Sequence, residues 1–170
     1  VFIITFSFEG DKTGKMLAEA LISSTAVDKR IIVDDFTKWM VSDKFLYSPR
    51  NLFNTQLRQE VHETYRMIDE LEGEDVKIQF TKPVGLFEKF AVHNHKKVVI
   101  IDGRIAYIGG VSFSEHNFAW HDAMLRIDNV GIAQALYVDF LATWRGEKPE
   151  ATHTSCEIEL YCISGTSNHK

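Results

Sequence analysis

The strongest constraint on how this chain can fold is an alternation. Short runs of β-branched and aromatic residues are separated by longer segments whose apolar residues recur at helical spacing. Val1 to Phe8 (VFIITFSF) predicts a buried strand and Glu9 to Gly14 a turn. Lys15 to Ala26 predicts a helix with Met16, Leu17, Ala20 and Leu21 on one face. Arg30 to Val33 predicts a second strand, closed by Asp34 and Asp35, whose carboxylates suit the cap of a following helix. Asn51 to Glu72 predicts a long helix carrying Leu57, Val61, Tyr65, Ile68 and Leu71, with Gly73 as its stop. Val76 to Phe80 reads as a strand; Phe90 to Val92 leads into Val98 to Ile101, turned at Asp102-Gly103 and returned by Arg104 to Ile108. Ala123 to Ile127 adds a strand. Gly131 to Arg145 adds a helix with Ala135, Val138, Leu141 and Ala142 inward. Such alternation predicts a layered α/β/α sandwich around a mixed sheet.

The chain has 170 residues, 45% of them hydrophobic, enough for one packed core. Its net charge of −5 argues against a dedicated nucleic-acid binder, which needs clustered cations, though a local basic pocket is compatible with it. Residues 1–146 are expected to form one lobe. Residues 147–170 are expected to be a linker (Glu147 to Ser155) and the first strand of a following lobe (Glu157 to Ile163). Cys156 and Cys162 read as free thiols. No run approaches the ~20 apolar residues that span a bilayer. Val1 already lies in a strand-like run, so the natural N-terminus is expected upstream.

The segment that carries chemistry is HNHKKVVIIDGRIAYIGGVSFSEHN, His93 to Asn117. His95 and Lys97 are two apart, so on an extended strand they share a face, while Lys96 points away. An imidazole attacks phosphorus or shuttles a proton near neutral pH, and an ammonium neutralises phosphate oxygens. Asp102 is placed to turn the chain or to hold Lys97 or a neighbouring strand by an ion pair. Gly109-Gly110 would let backbone N–H groups approach an anion, with Ser112 and Ser114 as hydroxyl donors. His93 reads as a group at the pocket mouth. His62, His116 and His121 read as ordinary polar residues whose spacing fits no common zinc pattern. Phe87 and Phe90 read as core or lip residues, and Trp120 as a core residue rather than the lining of an acyl or alcohol pocket.

His95-x-Lys97-x4-Asp102, six residues, then Gly109-Gly110-x-Ser112, resembles the HxKxxxxD signature of the phospholipase D superfamily. The flanking words are similar to the cardiolipin synthase-like branch: Asn94 before the motif, Ile101-Asp102-Gly103 after it, Trp120-His121-Asp122 and the Phe140/Trp144 helix. Ser112 departs from the Asn usual in the family.

The resemblance implies a phosphodiester-cleaving or phosphatidyl-transferring enzyme that works through a phosphohistidine, with phospholipids as the expected substrates. It implies two such motifs, the second in the same chain or in a homodimer mate, and no metal or cofactor. One histidine attacks phosphorus and the other protonates the leaving alcohol. By position, His95, Lys97 and Asp102 match the motif, and Asp122 matches an acidic residue that holds the catalytic imidazole. Lys97, Gly110 and Ser112 are expected to bind the phosphate. The implied setting is a membrane-associated protein with its site on the cytoplasmic side. A nuclease of the same fold and a silent supporting lobe are the alternatives.

Overall fold

Two adjacent isoleucines set the layering. In β1 (Phe2–Thr5), Ile3 and Ile4 are both 1% exposed, yet they belong to different apolar clusters on opposite faces of the sheet. The computed structural model describes residues 1–42, 44–81, 93–147, 152–155 and 158–161. Within them the sheet has six strands: β1, β2 (Lys29–Val33), β5 (Val76–Phe80), β6 (Val98–Ile101), β7 (Ile105–Gly109) and β8 (Met124–Asp128). Their order is β5-β2-β1-β6-β7-β8. β1 pairs with β2 and β2 with β5 in parallel; the other three ladders are antiparallel. Two strands are short and form a separate hairpin, β3 (Met40–Val41) with β4 (Lys44–Phe45).

One face is covered by α1 (Lys12–Ser23) and α2 (Thr55–Gly73), the other by α4 (Val130–Arg145), as expected for an α/β/α sandwich. A short helix, α3 (Glu115–Phe118), joins β7 to β8. Side-chain caps start the three long helices: Asp11 accepts from Gly14 N, Asn54 from Leu57 N and Asn129 from Ile132 N.

The inward faces differ from the expected ones. On α1 the buried positions are Gly14, Ala18 and Leu21, while Met16 is 62% exposed. Glu9 O sets that rotation, because it lies 1.8 Å from where a Cβ on residue 14 would stand, so only glycine fits. On α2, Thr64 and Met67 are buried and Tyr65 is exposed; the Thr64 hydroxyl accepts from Gly10 N at 2.8 Å. On α4, Val138 faces outward and Asp139 is 1% exposed. Asp139 turns inward because Lys96, pointing away from His95 and Lys97, ends 2.6 Å from its Oδ1.

Residues expected to be linker contain β9 (Thr152–Ser155), which pairs antiparallel with β10 (Ile158–Tyr161). The strand expected to stand alone therefore has a hairpin partner, and Leu160 packs against the α4 side of the core. Phe87, Phe90, Phe90 to Val92, Cys156 and Cys162 lie outside the described residues.

Strand directions decide where loops gather. The carboxyl ends of β1, β2, β5 and β7 and the amino ends of β6 and β8 fall on one edge of the sheet. Asp102 sits at the other end of β6, in the turn to β7, at φ 52° followed by Gly103 at φ 61°.

Candidate active site

The gathered edge encloses a cavity of about 100 Å³, room on the scale of about three waters and so for one small anion. Its wall comes from five places in the chain. Phe6, Ser7 and Glu9 follow β1; Phe36 and Thr37 lie on a 3-10 turn after β2; His95 and Lys97 precede β6. Gly110 and Ser112 follow β7, and His116, Asn117, Trp120 and Asp122 lie on α3 and the approach to β8. Open α/β sheets place ligands outside the carboxyl ends of their strands, and this cavity obeys that rule.

His95 and Lys97 meet as the two-residue spacing predicted. Lys97 Nζ lies 2.9 Å from Nδ1 and 3.0 Å from Nε2 of His95, and donates to the His95 carbonyl at 3.0 Å. Only a neutral imidazole keeps a lone pair for such a donor. Phe6 lies under both groups, its ring centroid 4.7 Å from that of His95 and 5.1 Å from Lys97 Nζ. Lys97 is 5% exposed. Burial lowers its pKa to about 8, against an upward pull from Asp122 and Asp34. Burial, and next the Lys97 charge, also lower the His95 pKa below its ordinary value, while Asp34 opposes the shift.

A second carboxylate holds the strand that presents this pair. Asp34, 2% exposed, accepts from Phe36 N at 2.9 Å and from Asn94 N at 2.6 Å, and lies 3.2 Å from His93 Nδ1. It is thus a cap, as expected, and also a clamp on the residues before His95. His93 stacks edge-on against Phe36, 4.8 Å between centroids, rather than facing the cavity. It does not line the cavity.

Ser112 is 1% exposed, and its Oγ has no hydrogen-bond partner in the protein. A buried hydroxyl left unpaired at a cavity wall is a donor waiting for a ligand. The expected backbone donors are not available. Gly110 N donates to Ala123 O at 3.0 Å and Gly109 N to Lys97 O at 3.2 Å, so sheet pairing consumes both. Gly110 serves differently: a Cβ there would stand 2.6 Å from Asp122 Oδ1, so the glycine makes room for that carboxylate. Asp122 lines the cavity and acts on His95 and Lys97 through its charge, without a hydrogen bond to the ring.

Asp102 is not brought to the cavity. Five residues of strand at about 3.3 Å each put it roughly 16 Å from Lys97, too far for an ion pair. The positive φ of Asp102 and Gly103 makes this a tight hairpin corner, and that is what the pattern Asp-Gly records here.

Two wall residues, Glu9 and Asn117, carry polar groups that sequence reasoning passed over. Glu9, 4% exposed, accepts from Ser42 N at 3.2 Å and lies 3.9 Å from His116 Nδ1. Asn117 donates to Ser7 Oγ at 3.0 Å. The available signal was positional: Glu9 and Asp34 follow the carboxyl ends of parallel strands, where ligands sit. Trp120, expected to pack, is 58% exposed at the rim. Among the described residues no three His, Cys, Asp or Glu side chains gather in a metal-ligating arrangement.

The family model described as cardiolipin synthase, PLD-like domain, matches residues 1–144. The chain belongs to this family. The PLD-like domain is 24% identical over 151 residues to the major cardiolipin synthase ClsA of Bacillus subtilis (strain 168), covering 82% of this chain and 27% of ClsA. It is 27% identical over 149 residues to cardiolipin synthase 1 of Staphylococcus epidermidis (strain ATCC 12228 / FDA PCI 1200), covering 84% of this chain and 26% of that protein. The PLD-like domain therefore spans about a quarter of the length of these curated relatives. Among solved structures it shares its fold with NucT from Helicobacter pylori, with a TM-score of 0.56 at 17% identity, over 85% of this chain and 77% of NucT. It also resembles polyphosphate kinase from Porphyromonas gingivalis, with a TM-score of 0.52 at 13% identity, over 90% of this chain and 22% of the kinase. Membership places the chain in the cardiolipin synthase-like branch of the phospholipase D superfamily.

Proposed function

We propose that this domain is one lobe of a phospholipid-processing transferase or hydrolase that forms a phosphohistidine on His95. The observation that carries the reading is an ammonium, Lys97, buried at a cavity wall with no carboxylate in ion-pair contact among the described residues. A buried cation that touches no carboxylate, and whose desolvation Asp122 and Asp34 offset only in part, is a site for an anion that offsets the rest. A phosphodiester fits the demand.

In this reading Lys97 and the Ser112 hydroxyl hold the non-bridging oxygens, and the neutral His95 ring attacks phosphorus. A phosphorus–nitrogen bond forms as the bond to the leaving alcohol breaks, and that alcohol takes a proton from the histidine of a second lobe. An acceptor alcohol or water then gives its proton back to that histidine and attacks phosphorus, and His95 is released. Asp122 stabilises the positive charge that accumulates around His95 and Lys97. The second lobe follows in the same polypeptide or comes from another copy. Cardiolipin synthase relatives favour phosphatidylglycerol as the first substrate to try.

The test is to incubate the complete protein with labelled phosphatidylglycerol and, separately, with single-stranded DNA, in chelator. Headgroup exchange or release, with a phosphoenzyme that vanishes in His95→Asn, is the expected result. A phosphoenzyme that persists in His95→Asn would make His95 the proton donor instead. DNA cleavage without lipid turnover would overturn the lipid reading. Asp122→Asn should fold normally and slow turnover by at least about tenfold; unchanged turnover removes Asp122 from the chemistry.

A further inference from the structure

The stretch between the 3-10 turn and α2 breaks two habits of the rest of the chain. Five large apolar side chains within fifteen residues stand exposed: Trp39 at 38%, Phe45 at 40%, Tyr47 at 57%, Leu52 at 36% and Phe53 at 87%. They are not a loosened core. Val41, 3% exposed, and Leu46 face inward with Val61 and Ile68 of α2 around a small cleft, so the segment already has its own anchor. The outward aromatics touch one another instead, Trp39 and Tyr47 at 5.4 Å and Phe45 and Tyr47 at 6.1 Å between centroids. The Arg58 guanidinium donates to Leu52 O and fixes the base of the tip that bears Phe53.

The second habit is charge. Residues 38–58 carry four cations (Lys38, Lys44, Arg50 and Arg58) against the single carboxylate of Asp43, in a chain whose net charge is −5, and of the four Lys38 is paired with Asp35 at 2.6 Å. Lys44 and Arg50 are exposed and make no ion pair among the described residues. Amphipathic aromatics flanked by unpaired cations match the headgroup zone of an anionic bilayer, where rings bury partway and cations meet lipid phosphates. A protein interface would be depleted of such lysines at its core.

The segment is continuous with the cavity. Phe36, Thr37 and Met40 line it directly, and Ser42 N is held by the cavity residue Glu9. Across the mouth, Trp120 and Phe118 are also exposed, at 58% and 56%. We propose that residues 38–58 are a membrane-docking surface that seats Trp39, Phe45, Tyr47 and Phe53 in the interface of an anionic bilayer. Docked so, the cavity mouth lies at the level of the lipid phosphates. The proposal rests on a lipid phosphodiester being the substrate, and gives that substrate its route in.

The test uses the full-length protein with Cys156 and Cys162 changed to Ser and an environment-sensitive fluorophore on Phe53→Cys. Vesicles of phosphatidylglycerol should blue-shift the label and brominated acyl chains should quench it, while phosphatidylcholine vesicles should do neither at moderate salt. Lys44→Gln with Arg50→Gln should weaken that response about 25-fold, at roughly fivefold per cation. The same pair should lower turnover of vesicle lipid and leave turnover of monomeric short-chain phosphatidylglycerol unchanged. No shift on anionic vesicles, or a shift that needs no lipid and grows with protein concentration, overturns the proposal; the latter means a second copy covers the face. Insertion without any lipid turnover would sink the catalytic reading and leave the docking surface standing.

Discussion

Lys97 carries most of what is specific to this protein at the scale of single residues. Its folded pKa of about 8 lies below the ordinary 10.5, so the ammonium costs stability wherever both states are charged. That cost is full below pH 8 and fades as pH rises through 8 to 10.5, because there the unfolded chain binds the extra proton. Lys97→Met should therefore raise stability at pH 7 by about 1–3 kcal/mol and abolish turnover, as denaturant midpoints and an activity assay would show. Wild-type stability should climb between pH 8 and 10.5 and that of the variant should not. The same groups shape the rate. His95 must be neutral, and Lys97 and the second lobe's histidine charged, so kcat/KM should rise up to a limb below 6.5 and fall again as those two groups lose their protons, Lys97 near 8; Lys97→Arg should remove the Lys97 part of that fall. Ser112 offers a contrasting case. Its hydroxyl is buried and unpaired in the protein, so Ser112→Ala should leave stability unchanged or slightly higher, while phosphate affinity falls about tenfold. Equal affinity in a product-inhibition assay would show that the hydroxyl faces nothing.

At the scale of elements, the strand end that delivers His95 and Lys97 is held from both faces. Asp34 clamps Asn94 and His93 on one side, and the Lys96–Asp139 pair ties the same four-residue stretch to α4 on the other. Removing one member of a nearly buried ion pair strands the other charge. Asp139→Ala should thus cost about 3–5 kcal/mol, and Lys96→Met with Asp139→Leu should recover most of it; a double-mutant cycle on thermal midpoints decides. The elements themselves were legible: β5, β6 and the α2 stop at Gly73 appear as the pattern predicts, because periodicity and turn residues are local signals. Inward faces were less legible. The rotation of α1 depends on a backbone approach that periodicity does not encode, Glu9 O against Gly14, and that of α4 on Lys96, which is 43 residues from Asp139 in sequence. The site split the same way. His95 and Lys97 share a strand and were visible as a pair, whereas Glu9, His116 and Asn117 join them only through the fold. Asp102 misled because one Asp-Gly both completes a motif and makes a hairpin.

At the scale of the whole molecule, one cavity holds one His95 and one Lys97, and no other described histidine contacts Lys97. If the second lobe is in the same polypeptide, residues 1–146 alone should bind a phosphate analogue yet show no turnover, and adding the other lobe in trans should restore it. Mixing His95→Asn protein with a second-lobe knockout gives the complementary check: recovered activity would mean that sites assemble between copies.

The convergence of strand ends on one side also governs how the domain is approached. The amino end of β1 and the Asp102-Gly103 corner lie at the opposite border of the sheet. Polypeptide joined at Val1, a reporter included, would meet the domain there, remote from the chemistry. Attachments at that border should leave catalysis untouched, whereas bulk added near residues 38–58 or 110–122 would stand in the doorway.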